Sequence, residues 1–248
     1  MARIILTGGN EGIGFHMVSQ FLKDGHMVAV LDLKLDNLNE LKGKHTDTLS
    51  LFECDVSDPQ AVVQSVDNTL SAFGGIDYAI HNACKCQFAN FEDTSDNDYR
   101  SVFDVNYHGA INMTKAVLPT MKEQSGGRIF LTSSGVGVMG FANISAYASS
   151  KGALKSLAKC MNIEYQNTGI TFHLIHTPLT KTASAKPLPV PEEFKADPQK
   201  VGTGIAKNIH KKRFVICHSF AQRLQTGMAY LFPIRLGRFM SKMAGEFV

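Results

Sequence analysis

Residues 3–14 read Arg-Ile-Ile-Leu-Thr-Gly-Gly-Asn-Glu-Gly-Ile-Gly, and the predicted fold depends on this stretch. Its first five residues form a short apolar, β-branched run, which is typical of a buried strand. Gly8 and Gly9 end the run, and beyond Gly14 apolar residues recur at helical spacing. A strand that turns through glycines into a helix begins a strand–helix–strand unit, so the stretch predicts an α/β protein.

The rest of the chain repeats this alternation of strand and helix. Further strands are predicted at residues 27–31, 49–54, 78–80, 128–132, 170–175 and 213–217, and long helices at residues 98–122 and 147–166. Because the strands are continuous apolar runs, they indicate a parallel sheet that is covered on both faces. We therefore expect a single Rossmann-type domain over residues 1–248, a doubly wound parallel sheet of about seven strands with helices on both faces.

Composition argues against several classes of protein. The chain has 248 residues and a formal net charge of +3, which is too small to suggest a nucleic-acid partner. Its five cysteines are odd in number and scattered, which favours free thiols in a reducing compartment, and no metal site is expected. We find neither a secretory signal nor an apolar run long enough to span a bilayer. The expected location is the cytoplasm.

The glycine-rich turn also has a chemical interpretation. Glycines let the backbone approach a pyrophosphate at a helix N-terminus, where amide groups and the helix dipole favour anions. Asp32 ends the second strand, and its carboxylate can bind both ribose hydroxyls of an adenosine while repelling a 2′-phosphate. This favours NAD over NADP, although Lys34 keeps NADP open. A purely structural turn and a capping role for Asp32 are the less favoured alternatives.

Residues 147–151 read Tyr-Ala-Ser-Ser-Lys and place a phenol and an ammonium group one helical turn apart. A free tyrosine has a pKa of about 10, and a nearby cation lowers it. A pKa of about 7 would require roughly 4 kcal/mol of differential stabilisation, more than a lysine alone supplies. A second positive charge, such as an oxidised nicotinamide, is therefore expected nearby. Such pairs are common on helix surfaces, so the interpretation depends on the motifs upstream.

Taken in order, the motifs resemble those of the short-chain dehydrogenase/reductase family, in its compact single-domain branch. The resemblance extends from Arg3 to about Cys217. It implies a set of cofactor-binding residues, which are Gly8, Asn10, Gly12, Ile13, Gly14, Asp32, Asp55, Val56, Asn82, Tyr147, Lys151, Pro178, Thr180 and Thr182.

The same resemblance implies a catalytic set of Ser134, Tyr147, Lys151 and Asn106. Ser134 would bind the substrate oxygen, and its spacing to Tyr147 favours it over the adjacent Ser133. Tyr147 would act as general acid in reduction and as general base in oxidation. Lys151 would lower the pKa of that tyrosine and bind the nicotinamide ribose, while Asn106 would hold a relay water.

The expected activity is hydride transfer between a nicotinamide cofactor and a secondary alcohol or ketone. One alternative is a catalytically idle NAD(P)-binding sensor or scaffold, which the intact catalytic set argues against. A second is a sugar-nucleotide epimerase, whose substrate domain would need more chain after the sixth strand.

The chain departs from the family pattern at three places. Cys84 replaces the glycine of Asn-Ala-Gly and adds a side chain where the backbone lies close to the cofactor. Leu179 replaces the glycine after Pro178. The glycine-rich ending of many tetrameric members is absent, and residues 219–248 instead alternate apolar side chains with Arg and Lys.

Two segments are expected to shape the substrate pocket. Residues 179–197 are irregular and predict a lid, since long loops in compact domains are commonly functional. The basic amphipathic tail at 219–248 fits a peripheral membrane contact or a cover over an apolar pocket, and packing against the domain or a subunit is favoured. Residues 135–145 are apolar, which suggests a hydrophobic substrate. The two long helices predict a homodimer. A homotetramer is the less favoured alternative, because the glycine-rich ending of tetrameric members is absent.

Overall fold

Seven parallel strands form one sheet at the centre of the computed structural model, which describes residues 1–188, 190–243 and 245. The strands are β1 (Arg3–Thr7), β2 (Met27–Asp32), β3 (Leu49–Glu53), β4 (Tyr78–His81), β5 (Gly127–Ser134), β6 (Ile170–Thr177) and β7 (Val215–Ile216). Their order in the sheet is β3-β2-β1-β4-β5-β6-β7, so the chain winds outward from β1 in both directions. This confirms the predicted doubly wound sheet, whose ligand crevice lies where the winding reverses, at the carboxyl ends of β1 and β4.

Helices cover both faces of this sheet. In chain order they are α1 (Gly12–Lys23), α2 (Asn39–Lys44), α3 (Pro59–Phe73), α4 (Asp96–Phe103), α5 (Gly109–Glu123), α6 (Val136–Met139), α7 (Ser145–Glu164), α8 (Pro198–Asn208), α9 (Phe220–Leu231) and α10 (Pro233–Met243). The core on one face includes α1 and α8, and the core on the other includes α3, α5 and α7. Along β1, Ile5 enters one core while Ile4 and Leu6 enter the other, as the alternation of side chains along a strand requires.

Several boundaries differ from the prediction. The long helix expected over residues 98–122 is interrupted, because Asp104–His108 form a π-helical segment between α4 and α5. β5 and β6 continue two residues further than predicted, and their added residues Ser133, Ser134, His176 and Thr177 are buried. The sequence pattern missed α2, α6 and α8, of which α2 and α6 are only six and four residues long.

The predicted lid and tail contain regular structure. The base of the 179–197 segment is closed by backbone hydrogen bonds, from the Lys181 amide to Ala196 (2.9 Å) and from the Ala196 amide to Leu179 (2.8 Å). Pro233 begins α10 within the tail. Residue 189 of the predicted lid and residues 244 and 246–248 of the predicted tail lie outside the described residues. Across the described part of the chain, no helix is long and apolar enough to cross a membrane.

Candidate active site

A continuous cleft of about 1070 Å³ lies at the carboxyl ends of the strands. The glycine-rich turn after β1 and the start of the loop after β2 line one end. The loops after β4 and β5, the 179–197 segment and the two tail helices line the rest. The topology therefore brings segments that are far apart in sequence around a single space.

The glycine-rich turn is locked against the loop that follows β4. Gly8 has φ +71°, and a Cβ on it would lie 2.6 Å from the Ala83 Cα, so no side chain fits there. The amides of Asn82 and Ala83 each donate to Thr7 Oγ1 at 3.1 Å. The Asn82 side chain donates to the Gly8 carbonyl at 2.8 Å. Asn82 thus braces the turn as well as lining the cleft.

Asp32 lies at the end of β2, facing the glycine-rich turn. Its Oδ2 accepts from the Asn10 amide at 2.9 Å, and its Oδ1 accepts weakly from the Lys34 amide at 3.4 Å. The Asn10 side chain accepts from the Asn37 amide at 3.0 Å, which ties the turn to the loop after β2. Asp32, Asn10, Gly12 and Ile13 all line the cleft.

Asp55 and Val56 follow β3 and line the cleft beside Asp32. Asp55 Oδ1 accepts from both the amide and the hydroxyl of Ser57, at 2.9 and 2.7 Å. The Val56 carbonyl accepts from the Asn112 side chain at 3.0 Å. These bonds fix the loop against α5, which shapes this end of the cleft.

The residues after β6 reach over the glycine-rich turn. The Thr180 hydroxyl donates to the Pro178 carbonyl at 2.8 Å, and Thr182 Cγ2 lies 2.9 Å from where a Cβ on Gly12 would stand. Pro178, Thr180 and Thr182 all line the cleft. The start of the predicted lid therefore lies directly above the turn.

Ser134, Tyr147 and Lys151 meet in the middle of the cleft. The Lys151 side chain is almost fully buried, and its Nζ donates to the Thr132 carbonyl at 2.9 Å and lies 5.6 Å from the centroid of the Tyr147 ring. Ser133 donates its hydroxyl to the Lys151 carbonyl at 2.8 Å. The hydroxyl of Ser133 is thus bonded to the backbone of α7, whereas Ser134 lines the cleft.

The pKa of Tyr147 is raised well above that of a free tyrosine. The main cause is burial, followed by the electrostatic effect of Cys84 and Cys86, while hydrogen bonding with Ser134 acts in the opposite direction. Burial penalises the charged phenolate. The lowering of this pKa by Lys151 together with an oxidised nicotinamide stays a prediction.

Asn106 is fully buried and lies behind the cleft wall, in the π-helical segment. Its Oδ1 accepts from the Lys85 amide at 2.8 Å, and its Nδ2 donates to the Lys85 carbonyl at 2.9 Å and to Ser150 Oγ at 3.0 Å. The side chain is thus occupied in holding the loop after β4 against α7. A π-helical turn inside a helix is often found at functional sites.

Two thiols face the cleft beside Tyr147. The Sγ atoms of Cys84 and Cys86 are 3.8 Å apart, and both residues line the cleft. The hydrogen bond between the thiols and the charge of Lys151 lower the pKa of Cys84 to about 6, against the effect of burial. The same bond, together with burial, raises the pKa of Cys86. The sequence shows a Cys-Lys-Cys spacing, one residue shorter than a Cys-x-x-Cys motif, but it does not show that the two sulfurs lie in contact.

The far end of the cleft is apolar. Three segments line it, and the sequence could not show which of their side chains would face the cleft. The lid contributes Leu188, Val190 and Phe194, the loop after β5 contributes Met139 and Phe141, and the tail contributes Met228, Leu236, Phe239 and Met240. Hydrogen bonds anchor the tail to the domain at several points. Gln222 donates to the His176 carbonyl at 2.7 Å, and the Ala142 amide donates to Ser241 Oγ at 3.0 Å.

A doubly wound sheet with a glycine-rich crevice defines a Rossmann-type protein. The family model for short chain dehydrogenases matches residues 2–192. The oxidoreductase UcpA of Salmonella typhimurium is 32% identical over 212 residues, which cover 84% of this chain and 80% of UcpA. The protein therefore belongs to the short-chain dehydrogenase family of oxidoreductases.

Solved structures agree with this fold. A short-chain dehydrogenase from Streptomyces avermitilis has a TM-score of 0.82 at 22% identity, covering 100% of both chains. The 3-ketoacyl-(acyl-carrier-protein) reductase of Brucella melitensis, in complex with NADH, has a TM-score of 0.73 at 22% identity. That alignment covers 79% of this chain and 86% of the reductase.

Proposed function

We propose that this protein interconverts a secondary alcohol and a ketone with a nicotinamide cofactor, and that Tyr147 transfers the proton. One observation carries the proposal. A single cleft holds the glycine-rich turn at one end and Ser134, Tyr147 and Lys151 beyond it. A cofactor lying along the cleft from the turn would bring its far end to the tyrosine, where the substrate carbonyl would meet both.

The residues divide the work in a simple way. Ser134 donates its hydroxyl hydrogen to the substrate oxygen and polarises the carbonyl. Tyr147 gives its phenolic proton to that oxygen in reduction and removes it in oxidation. Lys151 carries a buried positive charge one helical turn away and supports the phenolate form. The nicotinamide group supplies or accepts the hydride when it is bound.

The residues of the cleft fit a dinucleotide. The close backbone approach at Gly8 and the N-terminus of α1 suit a pyrophosphate, and the Asp32 carboxylate stands at the end of β2, where an adenosine ribose would lie. Asp55 and Val56 would flank the adenine, and Pro178, Thr180 and Thr182 would contact the nicotinamide amide. The negative charge of Asp32 favours NAD, and the positive charge of Lys34 beside it in the cleft leaves NADP as the alternative.

The substrate is proposed to be hydrophobic, since the lid, the loop after β5 and the tail present apolar side chains to the far end of the cleft. The inner side of α10 packs on that loop, where Gly237 approaches the Met139 and Gly140 carbonyls too closely for a side chain. On the outer side of the tail, Phe220 and Leu231 are 72% and 70% exposed. This exposure suits the subunit or membrane contact that the sequence predicts.

Replacing Tyr147 with phenylalanine tests the proposal. Tyr147→Phe removes the phenolic proton and should lower kcat by about a hundredfold or more, since general acid–base catalysis typically contributes that much. NADH affinity, measured by fluorescence titration, should change little. Tyr165→Phe is the matched control, because Tyr165 lies at the opposite end of α7 and packs against Phe172.

A panel of ketones and alcohols, assayed with both NADH and NADPH, identifies the substrate class. Equal turnover by the wild type and Tyr147→Phe would refute the assignment of the proton donor. NADH binding without turnover on any member of the panel would support the idle sensor in its place.

A further inference from the structure

Cys84 and Cys86 present both of their sulfurs to the cleft from a short segment after β4. The two Sγ atoms are 3.8 Å apart, within hydrogen-bonding range for thiols. A disulfide needs the sulfurs at about 2.05 Å, so side-chain rotation has to close less than 2 Å. The pair is close enough to react without large movement of the chain.

The backbone between the two cysteines is fixed by hydrogen bonds from a buried side chain. Lys85, the residue between them, exchanges hydrogen bonds with the Asn106 side chain through both its amide (2.8 Å) and its carbonyl (2.9 Å). Asn106 is fully buried and also bonds Ser150 on α7. A buried amide clamp of this kind orients the two neighbouring side chains toward the cleft.

The charged and titratable groups that face Cys84 favour its ionised form. Hydrogen bonding with Cys86 favours a thiolate at this position, and the positive charge of Lys151 attracts it. Together they lower the pKa of Cys84, whereas the pKa of Cys86 is raised. One sulfur is thus a nucleophile at neutral pH and the other is a protonated thiol beside it.

We propose that Cys84 and Cys86 form a two-thiol modification site within the cleft, at which hydrogen peroxide oxidises the pair to an intramolecular disulfide. The Cys84 thiolate attacks one oxygen of the peroxide, so that an S–O bond forms, the O–O bond breaks, and hydroxide leaves and takes up a proton. The Cys86 thiol then gives up its proton as its sulfur attacks the Cys84 sulfur. The S–S bond forms, the S–O bond breaks, and the oxygen leaves as water.

In total the two thiols lose two electrons and two protons, and peroxide is reduced to two molecules of water. A dithiol reductant reverses the oxidation by thiol–disulfide exchange. Cys84 and Cys160 are both exposed, but among the described cysteines only Cys84 and Cys86 have their sulfurs in contact.

Peptide mapping tests the site directly, because Lys85 is a trypsin cleavage point between the two cysteines. The full-length protein is treated with hydrogen peroxide, alkylated and digested. We expect peptides 45–85 and 86–100 to remain linked and to separate on treatment with dithiothreitol. At the same peroxide dose Cys160 should be recovered as the alkylated thiol.

Three controls assign the bond. Cys84→Ser should abolish the link even though Cys54 remains in the same peptide, and Cys86→Ser should abolish it and drive Cys84 to the sulfinic acid. Cys160→Ser should leave it intact. Recovery of Cys84 and Cys86 as free thiols at a dose that oxidises Cys160 would overturn the proposal, as would a link that survives Cys84→Ser.

Discussion

At the residue scale, the surroundings of Tyr147 oppose its ionisation. Burial and the two cleft thiols raise the pKa of the phenol, although Lys151 is one turn away. The sequence predicted the lysine, but the depth of burial and the second thiol come from tertiary packing. A positively charged nicotinamide beside the phenol would act in the direction opposite to the thiols. The proton donor is therefore tuned by groups that no Tyr-x-x-x-Lys pattern contains.

The effect of the thiols on the pKa of Tyr147 can be measured from the pH dependence of activity. Alcohol oxidation needs the phenolate of Tyr147, so its rate should rise with pH as the tyrosine ionises. Cys84→Gly removes a negative neighbour, which favours the phenolate and should move the midpoint of the kcat/KM profile to lower pH. Cys160→Ser, on an exposed part of α7, should leave the midpoint in place. A midpoint that moves to higher pH in Cys84→Gly would contradict this account.

Asp32 is expected to set the choice of cofactor. Asp32→Asn keeps an oxygen for the Asn10 amide, which now bonds Oδ2 at 2.9 Å, but removes the charge that repels a 2′-phosphate. We expect kcat/KM with NADPH to rise relative to NADH by about tenfold, equivalent to about 1.4 kcal/mol. Asp36→Asn is the control, because Asp36 contacts the Asn10 side chain and does not line the cleft. A wild-type preference for NADPH would contradict the role given to Asp32.

At the element scale, the glycine-rich turn depends on close packing of its own backbone. A Cβ on Gly14 would lie 1.9 Å from the Gly8 carbonyl oxygen, so Gly14→Ala must displace the turn. We expect loss of NADH binding in a fluorescence titration and a free energy of unfolding lower by about 1–3 kcal/mol.

Gly43→Ala provides a matched control on α2. A Cβ there meets nothing within 4 Å, so the substitution should raise the free energy of unfolding by about 0.4–1 kcal/mol and leave NADH affinity unchanged. Urea unfolding measures both variants. Normal NADH affinity in Gly14→Ala would show that the turn does not bind the cofactor.

Elements with a strong local signal could be predicted from the sequence, and those that depend on context could not. β1 was predicted at its observed bounds because its apolar run ends in two glycines. The start of α3 was also readable, since Asp58 caps the helix and Pro59 occupies its first turn. The π-helical segment had no such signal. Its Asn106 hydrogen-bonds to Lys85, which lies 21 residues away in the chain.

The same contrast between local signals and tertiary context applies to the residues of the candidate active site. Ser134 and Lys151 were predicted from motif spacing, and both line the cleft. The tail was recognised as amphipathic, but nothing in its pattern showed that Met228 and Phe239 would face the cleft. Contacts between distant segments decide which side of a helix is buried, and local periodicity does not contain them.

At the scale of the whole molecule, the long helices are expected to pair two copies of the chain. Ile163 is 72% exposed on α7, an apolar side chain suited to a subunit contact. Light scattering should give twice the chain mass of 27.1 kDa. Ile163→Asp should shift the population toward the monomer, because it places a charge in an apolar contact. Val63→Asp, at a 49% exposed position on α3, should leave the mass unchanged. A monomeric wild type would contradict the predicted dimer.

The π-helical segment at Asp104–His108 has a consequence for how this chain can vary. A π turn differs from an α turn by one extra residue, so deleting one residue there would restore a regular helix. Each residue advances an α-helix by about 100°, so α4 would rotate relative to α5 by about that angle. Asn106 would then turn away from Lys85 and release the cysteine pair from its support. Deletion of one residue in this segment is therefore expected to remove the support of the thiol pair while the core positions of α5 stay in place.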